Sequence, residues 1–362
     1  MRTLLHLLAL GLTFILLSCS EQDERLKSSQ LNSNFNFDTS KNYEEYIDYS
    51  RKIIKSARLD SNSHALELNS PFILHPSKKC PTKNGKGILL IHGLSDSPFI
   101  MRDLAEYFKD NCFIVYGLLL VGHGTRPGDL LDVSYQDWIK QVEYGVKELS
   151  KESNIIYLGG FSTGGALAIN YALSHSNKEI SGIITLAPAL NLTAFASVTP
   201  ILRCFKKYLS IYDDKDLAKY ESFATNAAAQ IYLLTKQIKK KLKKHDNSLK
   251  NTNVFAALTY EDKTINTRKT VATLLKNTHD NKRKIIIYHR NKVSSDITGK
   301  KNLHLVSSVI KEKNILDLSH TSLPNKKDNS WYGTDGQYRN CSHYYKTRKK
   351  MMITKHAKQE II

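Results

Sequence analysis

Residues 155–165 read Ile-Ile-Tyr-Leu-Gly-Gly-Phe-Ser-Thr-Gly-Gly, and no other stretch limits the fold as tightly. An apolar run meets Gly160-Phe161-Ser162-Thr163-Gly164, and the residues from Gly165 to Ser174 then have helical character. Strand, Gly-x-Ser-x-Gly and helix in that order describe a sharp turn with the serine at its apex. Glycine flanks the apex because side chains there would strike the neighbouring strand and helix. Ser162 is thereby raised above a sheet edge, beside a helix N-terminus whose partial positive charge favours an oxyanion. Ser162 is therefore the expected nucleophile.

The surroundings supply the sheet that such a turn needs. Short apolar runs at Ile88–Ile91, Phe113–Leu120, Ile155–Gly159 and Gly182–Leu186 alternate with amphipathic ones at Met101–Lys109 and Trp138–Leu149. That order predicts an α/β fold, with a mostly parallel sheet covered by helices on both faces. Right-handed crossovers gather the strand C-termini along one edge, where functional loops collect. The rhythm breaks between Pro188 and about Asn251, a helical stretch with many tyrosines and lysines that reads as an inserted cap. Strands are expected again at Val254–Leu258, Lys284–Tyr288 and Ile315–Leu318, with a helix near Thr267–Leu275. The divisions implied are a leader at 1–19, a flexible tether at 20–41, core at 42–187, cap at 188–251, core again at 252–323, and a basic aromatic tail at 324–362.

A further strand-end motif, His92-Gly93-Leu94-Ser95-Asp96-Ser97-Pro98, precedes Ser162, and Gly122-His123-Gly124-Thr125 lies between the two. Together with Gly160 to Gly165, and with Trp138 after Tyr135 and Asp137, these residues resemble the monoacylglycerol lipase and carboxylesterase branch of the α/β-hydrolases, to which serine aminopeptidases are related. The resemblance covers about Gly87 to Ala187, and Val254 onward loosely. It implies an oxyanion hole made by the backbone amides of Leu94 and Thr163, with His92 orienting its loop rather than moving protons. It also implies an acid and then a histidine further along the chain. Asp262, in Tyr260-Glu261-Asp262-Lys263, is the expected acid; Glu261 is its rival, and a helix-capping role is the bland alternative. His320 and His289 compete as base. Ser319-His320, followed by small residues, resembles the family's histidine loop, whereas Arg290 and Lys292 beside His289 disfavour its protonated form. Spacing from Asp262 favours His289 instead. The choice here is His320.

The expected chemistry is hydrolysis of a carboxylic ester through an acyl-enzyme, without a cofactor. A cap rich in tyrosine and leucine points to a lipid-like substrate, such as a monoacylglycerol or lysophospholipid. A peptidase would need carboxylates to hold an amine, and the cap reads as basic. A non-catalytic lipid-binding lipoprotein is the remaining alternative. The 13 histidines are scattered without metal-ligand spacing, so no metal is expected.

The N-terminus addresses the chain to a membrane. Arg2 precedes an apolar run from Leu4 to Leu17, too short to span a bilayer, and Leu16-Leu17-Ser18-Cys19 resembles a bacterial lipobox. Export and lipid anchoring at Cys19 are expected, with the outer membrane as the destination. The remaining Cys80, Cys112, Cys204 and Cys341 can pair in an oxidising compartment. Cys80 with Cys112 is favoured because each precedes a strand that neighbours the other; Cys204 would then pair with Cys341. The net charge of +19 favours anionic surfaces. Nucleic acid fits that charge but finds no recognition motif here. The run Lys239-Lys240-Lys241, Lys243 and Lys244 is either a solvated helix face or a membrane-docking surface on the cap.

Overall fold

A computed structural model describes residues 23–77, 79–80, 85–175, 180–244, 248–311, 315, 317–333 and 335–338. In chain order the first half holds α1 (Tyr43–Ala57), α2 (Ser63–Asn69), β1 (Phe72–Leu74), β2 (Lys86–Ile91), α3 (Arg102–Asp110), β3 (Ile114–Leu118), α4 (Tyr135–Leu149), β4 (Ile155–Phe161), α5 (Thr163–Ser174) and β5 (Gly182–Leu186). An insertion follows, with α6 (Thr199–Leu202), the hairpin β6 (Tyr208–Ser210) and β7 (Phe223–Ala224), and α7 (Thr225–Leu242). The chain then returns through β8 (Asn253–Thr259), α8 (Thr267–Asn277), β9 (Arg283–His289) and β10 (Leu303–Ser307).

One sheet contains eight strands in the order β1-β3-β2-β4-β5-β8-β9-β10. Only β1 runs antiparallel to its neighbour; every other pairing in this sheet is parallel. Parallel central strands are covered on both faces, so they read as unbroken apolar runs. Ile88 to Ile91 of β2 are accordingly fully buried. Trp138 of α4 is buried as well, and its indole N–H donates to the Val121 carbonyl at 3.0 Å. The strand order brings β2 beside β4, which sets the His92-Gly93 loop next to Ser162.

Cys80 and Cys112 form a disulfide, with Cα atoms 5.5 Å apart. Its setting is the parallel pairing of β2 with β3, in which Gly87 faces Ile114. Cys204 is exposed, and its expected partner Cys341 lies outside the described residues, as do Cys19 and the apolar leader.

Two expectations need correction. Residues 23–41 are not a loose tether. Phe37 is buried against Tyr46 and Tyr144, and the buried Asn32 amide donates to the His123 carbonyl and the Thr125 hydroxyl. The many polar residues of this stretch hid two aromatic anchors, Phe35 and Phe37, spaced two apart so that both meet one cluster. The strand expected at Ile315–Leu318 is also displaced. β10 at Leu303–Ser307 takes the sheet edge, and Ile315 makes an isolated bridge with Ile310. A half-covered edge strand lacks the solid apolar run that marks the centre of the sheet. The basic aromatic tail carried no expectation of packing; its described part packs on the core, where Trp331 and Tyr332 are buried and the Trp331 indole N–H donates to Asp216 Oδ1 at 2.9 Å.

Candidate active site

The backbone places Ser162 before any side-chain contact does. Its φ of +51° lies in the left-handed region, which costs a non-glycine residue unless the surroundings hold it there. They do: the Ser162 N–H donates to the Leu186 carbonyl at 2.9 Å, and the Ser162 carbonyl accepts from Ala166 and Ala189. The flanking glycines are steric necessities. A Cβ on Gly164 would sit 2.0 Å from the Ile91 carbonyl oxygen of β2, and one on Gly160 would sit 2.2 Å from the Gly164 backbone. The serine is thus wedged where strand, helix and neighbouring strand nearly touch.

His320 reaches this corner from the far end of the chain. It opens a short 3-10 turn, His320–Ser322, and its ring is buried. The Ser162 hydroxyl lies 3.0 Å from His320 Nε2, and His320 Nδ1 lies 2.6 Å from Asp262 Oδ2. A carboxylate only accepts, so Nδ1 carries the hydrogen and Nε2 is left to accept from the serine. Asp262 is fixed in turn, because its Oδ1 accepts the backbone N–H groups of Thr264 at 2.7 Å and Ile265 at 3.0 Å. The rivals are occupied elsewhere. Glu261 accepts the backbone N–H of Asn291 at 2.8 Å, and His289 Nδ1 lies 3.0 Å from the Asn291 carbonyl. Of the two histidines, only His320 is brought to Ser162. Spacing misleads here because β10 and its connections intervene between the end of β9 and the histidine turn.

Leu94 and Thr163 line the same cavity as Ser162 and His320, a space of about 350 Å³. Thr163 is the first residue of α5, so its N–H has no partner within the helix. His92 does not reach the cavity. Its Nδ1–H donates to the Gly93 carbonyl at 2.7 Å, and its Nε2 accepts from the Leu120 N–H at 3.0 Å, pinning the end of β2 to the loop after β3. Burial holds this imidazole well below its usual pKa, and neighbouring His123 lowers it further, so it stays neutral. Among the described residues no group of three His, Cys, Asp or Glu could hold a metal ion.

The rest of the cavity wall divides by chemistry. Leu192, Phe195, Leu209, Phe223 and Ile231 from around the insertion are apolar. Asp96, Lys219 and Glu221 make a polar portion that sequence reasoning did not single out. Burial pushes the Asp96 carboxyl up to about 6, while Lys219 and His320 pull it back. Lys219 is 8% exposed, and its ammonium stands 4.8 Å over the Tyr332 ring. In sequence these residues read as ordinary loop charges; only the fold turns them inward.

Comparison with known proteins shows the family and the fold that carry this geometry. The family described as serine aminopeptidase, S33, matches residues 82–285, more than half of the chain. The chain belongs to this family. A thermostable monoacylglycerol lipase of Bacillus sp. (strain H-257) is 32% identical over 163 residues, covering 43% of this chain and 64% of the relative. A carboxylesterase of Bacillus subtilis (strain 168) is 25% identical over 128 residues, 34% of this chain and 51% of that one. The matches thus span less than two thirds of either relative's length. Among solved structures, one from the work on LipS and LipT, two metagenome-derived lipolytic enzymes, aligns with a TM-score of 0.51 at 19% identity, over 60% of this chain and 86% of that one. The fold is that of the α/β-hydrolases. The family match ends at residue 285, before either candidate histidine, so the placement of His320 rests on geometry alone.

Proposed function

We propose that this protein is a serine hydrolase that cleaves carboxylic esters. The observation that carries the reading is the single imidazole bridging Ser162 and Asp262 through its two nitrogens. In the proposed reaction His320 Nε2 takes the Ser162 proton as Oγ attacks the ester carbonyl, and Asp262 stabilises the resulting imidazolium. The amides of Leu94 and Thr163 hold the negative oxygen, the alcohol leaves with the proton from His320, and water then releases the acyl group by the same route.

A monoacylglycerol, lysophospholipid or similar acyl ester is the proposed substrate class. The apolar part of the cavity suits an acyl chain, and the polar part around Asp96 and Lys219 suits a hydrophilic leaving group. The monoacylglycerol lipase among the relatives supports this choice. A second reading, an aminopeptidase, gains from the carboxylates of Asp96 and Glu221 in the cavity; Lys219 between them in sequence counts against a free ammonium ligand. The apolar leader is too short to span a bilayer, so we place the protein on the bacterial cell envelope, held by lipid on Cys19, with the outer membrane as its site.

A fluorophosphonate probe tests the central reading, because only an activated serine reacts with it quickly. Stoichiometric labelling that disappears in Ser162→Ala is expected. Nitrophenyl esters of rising chain length should be cleaved in preference to aminoacyl nitroanilides. Absence of labelling would favour a non-catalytic binding protein, and the reverse substrate preference would favour the peptidase. Metabolic palmitate labelling, lost in Cys19→Ser, tests the anchor.

A further inference from the structure

The insertion carries an apolar surface that extends beyond the cavity. Ile201 and Phe205 are 70% and 84% exposed, the two most exposed large apolar side chains among the described residues. Phe195, Val198, Ile211 and Tyr212 from the same stretch are also exposed. Soluble chains seldom leave such residues gathered in one segment unless the segment meets a partner. The stretch is firmly held. α6 packs on α7, β6 pairs with β7, and the Arg203 guanidinium donates to Asn226 Oδ1 at 2.9 Å.

We propose that this surface docks onto an anionic lipid bilayer. Between Ala187 and Tyr212 the sequence has no acidic residue, while Arg203, Lys206 and Lys207 are all exposed among the apolar side chains. Apolar groups that enter the acyl boundary beside cations that meet lipid phosphates are the chemistry of an interfacial segment. Phe195 both lines the cavity and is exposed, so the surface continues into the mouth of the cavity. A docked surface would therefore open the cavity toward the lipid.

This location differs from the lysine run at the end of α7. The cavity is lined by Ala228 and Ile231 in the first turns of that helix, and Lys240 follows Ala228 by twelve residues, roughly 18 Å along the axis. Lys241 is drawn inward to Asn170 Oδ1 at 2.9 Å. The lysines thus lie away from the cavity mouth.

The proposal does not depend on the hydrolase reading. It is tested on the full chain in a Cys19→Ser, Cys341→Ser background, with a polarity-sensitive fluorophore on the exposed Cys204. Vesicles of phosphatidylcholine alone and of phosphatidylcholine with phosphatidylglycerol are compared, so attachment through the apolar leader is common to both. A blue shift is expected on the anionic vesicles, weakening as salt rises. Ile201→Ser with Phe205→Ser should lower the affinity behind that shift on the order of tenfold or more, because interfacial binding follows buried apolar area. Hydrolysis of a short water-soluble ester should be unchanged, since neither residue lines the cavity. Equal shifts on both vesicle types, an undiminished shift in the double variant, or a shift that appears without vesicles as the protein self-associates would each overturn the proposal.

Discussion

Ser162 and the histidine it faces, His320, come from regions built in opposite ways. Around Ser162 the chain is short-range and over-determined: β4, the turn and α5 are consecutive, and glycines occur where a methyl group would meet a backbone. Around His320 almost nothing is local. The turn holds a small capping network between Ser319 and Ser322, but the segment after it is tied down by distant groups. The Lys326 N–H and the Asn329 side chain both donate to Asp103 Oδ2, and Trp331 reaches Asp216 in the insertion. One half of the proposed machinery sits on consecutive elements wedged against the neighbouring strand at Ile91, and the other is held by tertiary contacts spanning more than two hundred residues.

The sharpest way to break that contrast is to ask whether the distant arm supplies the base. His320→Ala should lower the turnover of a soluble nitrophenyl ester by about 10⁴-fold or more, close to the loss in Ser162→Ala, because residues of one triad act as a unit. His289→Ala should stay within a few-fold of the parent. Asp262→Asn should cost about 10⁴-fold by favouring the wrong imidazole tautomer, and Glu261→Gln should cost little. Steady-state kinetics at matched folding, checked by circular dichroism, decide this. A dead His289→Ala beside an active His320→Ala would mean that the arm built by long-range contacts is not part of the machinery.

The same contrast explains what could be seen in the sequence. The Ser162 corner was legible because its constraint is steric and local, and the parallel strands because full burial leaves solid apolar runs. Asp262 and His320 were nameable through resemblance, but spacing pointed to His289 while the structure brings His320 to Ser162, since β10, a mostly exposed edge strand with a weak pattern, intervenes. The inward turn of Asp96 and Lys219 was illegible. Nothing in Asp-Leu-Ala-Lys-Tyr-Glu-Ser distinguishes a solvated loop from one that folds over a cavity. Phe35, Phe37, Trp331 and Tyr332 were visible as aromatics, yet their polar surroundings concealed that they anchor both ends of the described chain to the core.

If long-range contacts hold the histidine arm, removing their anchor should be felt throughout it. Trp331→Ala deletes a buried indole and should destabilise the protein by about 3–5 kcal/mol. Trp331→Phe keeps most of the packing but leaves Asp216 without its indole donor, for a loss of about 1–3 kcal/mol. Urea unfolding measures both. A Trp331→Ala protein as stable as the parent would show that the tail only decorates the core.

A test that appears only as a pH dependence probes where the two regions meet. Asp96 belongs to the loop after β2 and Lys219 to the insertion, and both face the cavity. Burial raises the Asp96 carboxyl to about 6, from 3.8 when unfolded. The folded state therefore keeps this proton to higher pH than the unfolded chain does. The stability linked to it is complete below about pH 4 and is lost as pH rises through 6, a difference on the order of 3 kcal/mol. His123, lowered by burial to about 4, and His92, held well below its usual value, work in the opposite direction across the same range, and buried Asp216 works with Asp96, so the raw profile of the parent mixes them all. Subtraction separates them. The stability of the parent minus that of Asp96→Asn should fall by roughly 2–3 kcal/mol between pH 4 and pH 7, because asparagine has no proton to lose while His123, His92 and Asp216 contribute to both. Adding Lys219→Met should steepen the fall, since the ammonium is what favours the ionised carboxylate. A flat difference would mean that Asp96 is solvated like a surface carboxylate, and that the insertion does not close over the loop beside Ser162.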